Sequence, residues 1–109
     1  MKIAHCQFES WCGDFDHNLK RFEEGLQRAD ATGAAIVSFP ECFLTGYPDT
    51  EESARSGAFA NDSDSMMRVL DVTSRHEALA IVGYNEMRGE DLYNTVVVAH
   101  RGHLLGTFS

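Results

Sequence analysis

Three kinds of side chain in this sequence have the chemistry to catalyse: a carboxylate at Glu41, thiols at Cys6, Cys12 and Cys42, and imidazoles at His5, His17, His100 and His103. Glu41 is the best placed. It follows the apolar run Ile36-Val37-Ser38-Phe39 and a proline, and Gly46 and Pro48 bend the chain again soon afterwards. Pro40 has no N–H to give a sheet ladder, so pairing tends to end where it stands. The carboxylate is thereby delivered at the carboxyl end of a strand, which is where open α/β sheets bind ligands. Position alone does not make it catalytic, because a Glu after a strand is ordinarily a solvated loop residue. If it works as a base, it is expected to be at least partly sheltered from water, so that burial makes it hold a proton more tightly.

The other candidates are weaker. Cys42 adjoins Glu41, but neighbours in an extended chain point to opposite sides, so the two are not expected to share a site; Cys42 reads as structural. His5, Cys6, Cys12 and His17 cluster in sequence without a Cys-x-x-Cys or His-x3–5-His pair, so no metal is expected. His100 and His103 straddle a glycine turn and read as solvated. Gly13, Gly33 and Gly102 are isolated, which leaves neither a P-loop nor a dinucleotide fingerprint, and no cofactor is expected.

Composition narrows the partners. Nine basic and seventeen acidic residues give 9 − 17 = −8, which disfavours a nucleic-acid backbone or an anionic membrane. A hydrophobic fraction of 43% in 109 residues suits one small globular domain. Met1 runs directly into a strand-like start with no long apolar leader, so the cytoplasm is the expected compartment. Three cysteines without an export signal are expected to be free thiols.

The elements that must position Glu41 follow from periodicity. Lys2 to Phe8 reads as a first strand. Phe15, Leu19, Phe22, Leu26 and Ala29 alternate steps of four and three, which makes one apolar helical stripe with Asp14 or Asp16 as cap and Gly33 as stop. Ala34 to Phe39 is then a second strand, and strand–helix–strand makes the pair parallel. Thr50 to Asp64 reads as a long polar loop with one helical turn. A second helix is expected from Ser65 to Glu77, with Met66, Val69, Leu70 and Thr73 inward. Strands follow at Leu79–Tyr84 and Tyr93–Ala99, linked by a hairpin over Arg88–Asp91, and a last one at His103–Phe108. The order β-α-β-α-β-β-β predicts an α/β fold, a mixed sheet with helices on one face.

Several of these residues form a larger pattern. Gln7 ends the first strand, Asn18-Leu19 opens the helix, and Ala34 to Leu44 with Gly46-Tyr47 spells an apolar run, Phe-Pro-Glu, then Phe, Gly and Tyr. Tyr93-Asn94-Thr95 is followed by Gly102-His103-Leu104-Leu105-Gly106. In these blocks, over essentially all 109 residues, the sequence resembles the amino-terminal part of the nitrilase superfamily, the carbon–nitrogen hydrolases.

The resemblance implies an α-β-β-α sandwich of which this chain is the amino-terminal portion, a partial domain over 1–109. It implies a Glu-Lys-Cys triad acting on a small-molecule amide, nitrile or carbamoyl substrate. Glu41 takes the place of the general base, and Tyr47 that of a pocket residue. Gly106-Thr107-Phe108-Ser109 stands where the family carries a motif ending in Lys, so the sequence is expected to stop just before that residue. None of Cys6, Cys12 or Cys42 stands in the context of the nucleophile. The chain alone is therefore expected to be inactive and, like family members, to form a homo-oligomer. Two other readings stay open: a non-catalytic, truncated interaction module, and an unrelated small α/β binding domain.

Overall fold

The amphipathic helix finds the sheet surface that its stripe requires. The computed structural model describes residues 1–109, and its elements run β1 (Ile3–His5), α1 (Phe15–Thr32), β2 (Ile36–Ser38), α2 (Glu51–Gly57), α3 (Asp64–Ser74), β3 (Leu79–Arg88), β4 (Asp91–His100) and β5 (His103–Phe108). The five strands lie in sequence order in one sheet. The first two pairings are parallel and the last two antiparallel, so the sheet is mixed as expected.

Helix α1 obeys its end signals. The Asp14 carboxylate accepts the backbone N–H of His17 at 3.0 Å. At the other end Gly33, at φ 73°, returns its N–H to the last turn of the helix. Phe22, Leu26 and Ala29 on α1 and Met66, Val69 and Val72 on α3 pack against Val37, Ala80, Val82, Val97 and Ala99 in one core. The strand members alternate along their strands, so α1 and α3 cover a single face. The opposite face carries Ile3, Ile36, Ile81, Val96, Val98 and Phe108 in register, and Ile3 and Phe108 remain 54% and 64% exposed.

Three expectations need correction. The parallel strands are shorter than their apolar runs, because β1 and β2 pair over three residues each. The polar stretch after Thr50 holds a seven-residue helix, α2, so the order is β-α-β-α-α-β-β-β. A capping box explains it: Ser53 N–H donates to Thr50 Oγ1 at 3.0 Å while Thr50 N–H donates to Ser53 Oγ at 3.1 Å. Finally, β3 and β4 extend to Arg88 and Asp91 around a turn in which Gly89 takes φ 62°.

A charged cluster ties the far ends of α1 and α3 together. His76 is nearly buried, with Nδ1 2.9 Å from Asp30 Oδ2 and Nε2 3.1 Å from Glu23 Oε2. Arg75 donates to the same Glu23 oxygen at 3.0 Å, and Asp30 Oδ1 accepts the backbone N–H groups of Glu77 and Ala78. Burial pushes the Glu23 carboxyl up, but hydrogen bonds and charge from His76 and Arg75 outweigh it and hold the group below the ordinary range. A depressed folded value contributes stability above the ordinary Glu range, and that stability is lost as pH falls through the folded value. Glu23→Gln is accordingly expected to cost under about 1 kcal/mol near neutrality, a small amount because the group is partly exposed. The deficit should close as denaturant melts are taken down towards about pH 3. A deficit independent of pH would assign the loss to packing.

No helix is long and apolar enough to cross a membrane.

Candidate functional site

The chain leaves β2 at Ser38 and passes along the edge of β3 instead of pairing with it as a regular strand. Phe39 N–H donates to Ile81 O at 2.9 Å and Leu44 N–H to Gly83 O at 3.0 Å. Between these anchors Pro40 offers no donor, and residues 41–45 form a turn. Cys42 sits at its centre with φ 58°, a left-handed conformation that a non-glycine residue adopts only when its surroundings impose it.

That conformation overturns the expectation that Glu41 and Cys42 face opposite sides, which assumed extended backbone. Both side chains reach Asn94 on β4, and Cys42 also reaches Asn85 on β3, the direct cross-strand partner of Asn94. Asn94 Nδ2 donates to Glu41 Oε1. The Cys42 thiol lies 3.2 Å from Asn85 Oδ1 and 3.8 Å from Asn94 Oδ1. Asn85 is fixed from behind, its backbone N–H donating to Thr45 Oγ1 at 3.1 Å. Glu41, Cys42, Asn85 and Asn94 share one cleft of about 420 Å³ with Tyr47 and Pro48.

Glu41 therefore stands at the carboxyl end of β2, as its position after Pro40 predicts. Its shelter is absent. The side chain is exposed, because the turn lies on the sheet face that α1 and α3 do not cover. No Lys, Arg or His makes an ion pair with it. Tyr47 reaches the same cleft at 71% exposure, so it is available to a ligand and carries little packing.

Cys42 is buried, and burial pushes its thiol up, with the Glu41 carboxylate adding in the same direction. A thiol held protonated is a poor nucleophile and a suitable donor to the asparagine oxygens. Cys6, Cys12 and Cys42 are all free. Asn85 and Asn94 escaped the sequence reading as site residues. Asn94 was visible in the Tyr93-Asn94-Thr95 block; nothing short of the seating of the 41–45 turn on β3 could have brought Asn85 to Cys42.

A strand end that presents one carboxylate, oriented by a neutral amide beside an aromatic-edged cleft, is a place to accept a proton. The carbon–nitrogen hydrolase family model matches residues 2–108. The chain belongs to that family. A glutamine-dependent NAD(+) synthetase of Thermotoga maritima is 28% identical over 108 residues, covering 99% of this chain and 19% of that protein. A cyanide hydratase of Botryotinia fuckeliana is 26% identical over 117 residues, covering 95% of this chain and 32% of that protein. Among solved structures, an amidase from Nesterenkonia sp. superposes with a TM-score of 0.82 at 23% identity, over 99% of this chain and 41% of its own. This carbon–nitrogen hydrolase chain spans about a fifth of the length of the curated synthetases it matches.

Proposed function

We propose that the chain contributes the general base, Glu41, to an enzyme that hydrolyses small carboxamides, with the nucleophilic cysteine and a lysine coming from outside these 109 residues. The observation that carries the reading is the carboxylate itself, standing at the carboxyl end of β2 and oriented by Asn94 at the mouth of the cleft. Family membership supports the reaction class. The glutamine-dependent relatives favour an amide over a nitrile or a carbamoyl amine as substrate.

In this reading Glu41 takes the proton of the cysteine thiol, and the thiolate attacks the carbonyl carbon. The lysine cation stabilises the tetrahedral oxyanion. The proton passes from Glu41 to the leaving nitrogen, the C–N bond breaks and ammonia departs. Water, deprotonated by Glu41, then hydrolyses the thioester and restores the thiol.

Ammonia release from a panel of carboxamides, carbamoyl amines and nitriles tests the proposal. The full-length gene product should turn over a carboxamide best, and the 109-residue chain alone should show no turnover above background. Hydrolysis by the isolated chain that Cys42→Ala abolishes would show that Cys42 is the nucleophile and overturn the assignment.

A further inference from the structure

We infer that Asn94 is a positioning residue for Glu41: its side-chain amide holds one carboxylate oxygen so that the other is free to receive the proton. The inference rests on the reading of Glu41 as general base and adds the device that aims it.

The orientation of the Asn94 amide is fixed by the carboxylate it meets. A carboxylate has no proton to give, so the amide must meet Glu41 Oε1 with its NH₂ group, as it does. That places Asn94 Oδ1 towards Cys42, whose sulfur lies 3.8 Å away and 3.2 Å from Asn85 Oδ1. The single S–H donates to the nearer oxygen, that of Asn85, and a flipped Asn94 amide would set its Oδ1 against the Glu41 carboxylate. The carboxylate thus selects one orientation of an amide whose side chain is otherwise exposed.

A neutral donor is also the kind that a base requires. A cation at the same place would hold Glu41 in its ionised form and weaken it as a proton acceptor. Within these 109 residues no Lys, Arg or His makes that contact. The amide fixes direction with a smaller loss of basicity. Because Asn94 is exposed at its end of β4, its substitution can be read for chemistry apart from core packing.

The test uses the full-length protein with Asn94→Ala, Asn94→Asp and Glu41→Gln measured side by side. Asn94→Ala should lower kcat on the order of 10²-fold while KM moves little, as a misaimed base does. Asn94→Asp keeps the shape and loses the donor at neutral pH. At lower pH the two carboxylates share a proton, and the shared proton restores a donor to Glu41. The ratio of Asn94→Asp to wild-type kcat should therefore rise as pH is lowered from about 8 to about 5. An inactive Glu41→Gln beside Asn94→Ala and Asn94→Asp enzymes that keep wild-type kcat, with a flat pH ratio, would overturn the positioning role and leave the base in place. Wild-type activity in Glu41→Gln would overturn the base, and the positioning role with it.

Discussion

Glu41→Gln in the full-length protein is expected to lower kcat/KM by about 10²–10⁴-fold, the range over which a positioned acid–base group contributes. In barrier terms that is about 3–5 kcal/mol. The substitution is chosen because it removes little else. A glutamine Oε1 can still accept from Asn94 Nδ2, so the turn keeps its partner. The residue is exposed, so no core contact is lost. What disappears is the capacity to take a proton. Thermal unfolding should consequently match wild type, and KM should change much less than kcat. Steady-state ammonia release at saturating and limiting substrate separates the two constants. Activity within tenfold of wild type would remove Glu41 from the chemistry and leave the cleft as a binding feature only.

The fold was legible where its signals are local. The Phe15-to-Ala29 stripe, the Asp14 cap and the Gly33 stop each act within one or two turns, and α1 ends at Thr32, where they place it. The parallel pairing followed from a helix lying between two apolar runs. Helix α2 was hidden because its stretch is polar and buries only Ala54. Its signal was a capping box whose third position is Ser53, a residue less diagnostic there than Glu or Gln.

The site was half legible for a related reason. Pro40 breaks a ladder by its own covalent structure, so the place of Glu41 could be read from adjacent residues. Its surroundings could not. The left-handed φ at Cys42 is imposed by contacts with β3, forty residues away in sequence, and no property of cysteine announces it. The same is true of Asn85 and Asn94, which meet only through the β3–β4 register. The shelter expected around Glu41 failed because a strand end fixes where a carboxylate stands and says nothing about what covers it.

Gly83 is where stability and site meet, and Gly83→Ala is expected to damage both. Gly83 lies on β3 opposite Val96, on the face that receives the Glu41–Cys42 turn. A Cβ there would stand 2.7 Å from Cys42 N, 3.1 Å from Glu41 Cα and 3.2 Å from Glu41 C. All three are backbone atoms, so no rotamer change relieves the overlap. The turn is also tied down by Leu44 N–H donating to Gly83 O at 3.0 Å, so lifting it from the strand strains that bond. Overpacking of this kind costs about 1–3 kcal/mol, and the rigid neighbours place this case at the upper end. Displacing Glu41 from Asn94 by about 1 Å should in addition cost on the order of 10²-fold in kcat/KM. Gly57→Ala is the control. The nearest atom to its added Cβ is Thr45 O at an ordinary 3.8 Å, so both quantities should stay close to wild type. Denaturant midpoints and kcat/KM on the full-length variants read the two effects independently. If Gly83→Ala matches Gly57→Ala in both, the turn does not ride on β3 as closely as these distances require, and the seating of Glu41 must come from Asn94 alone.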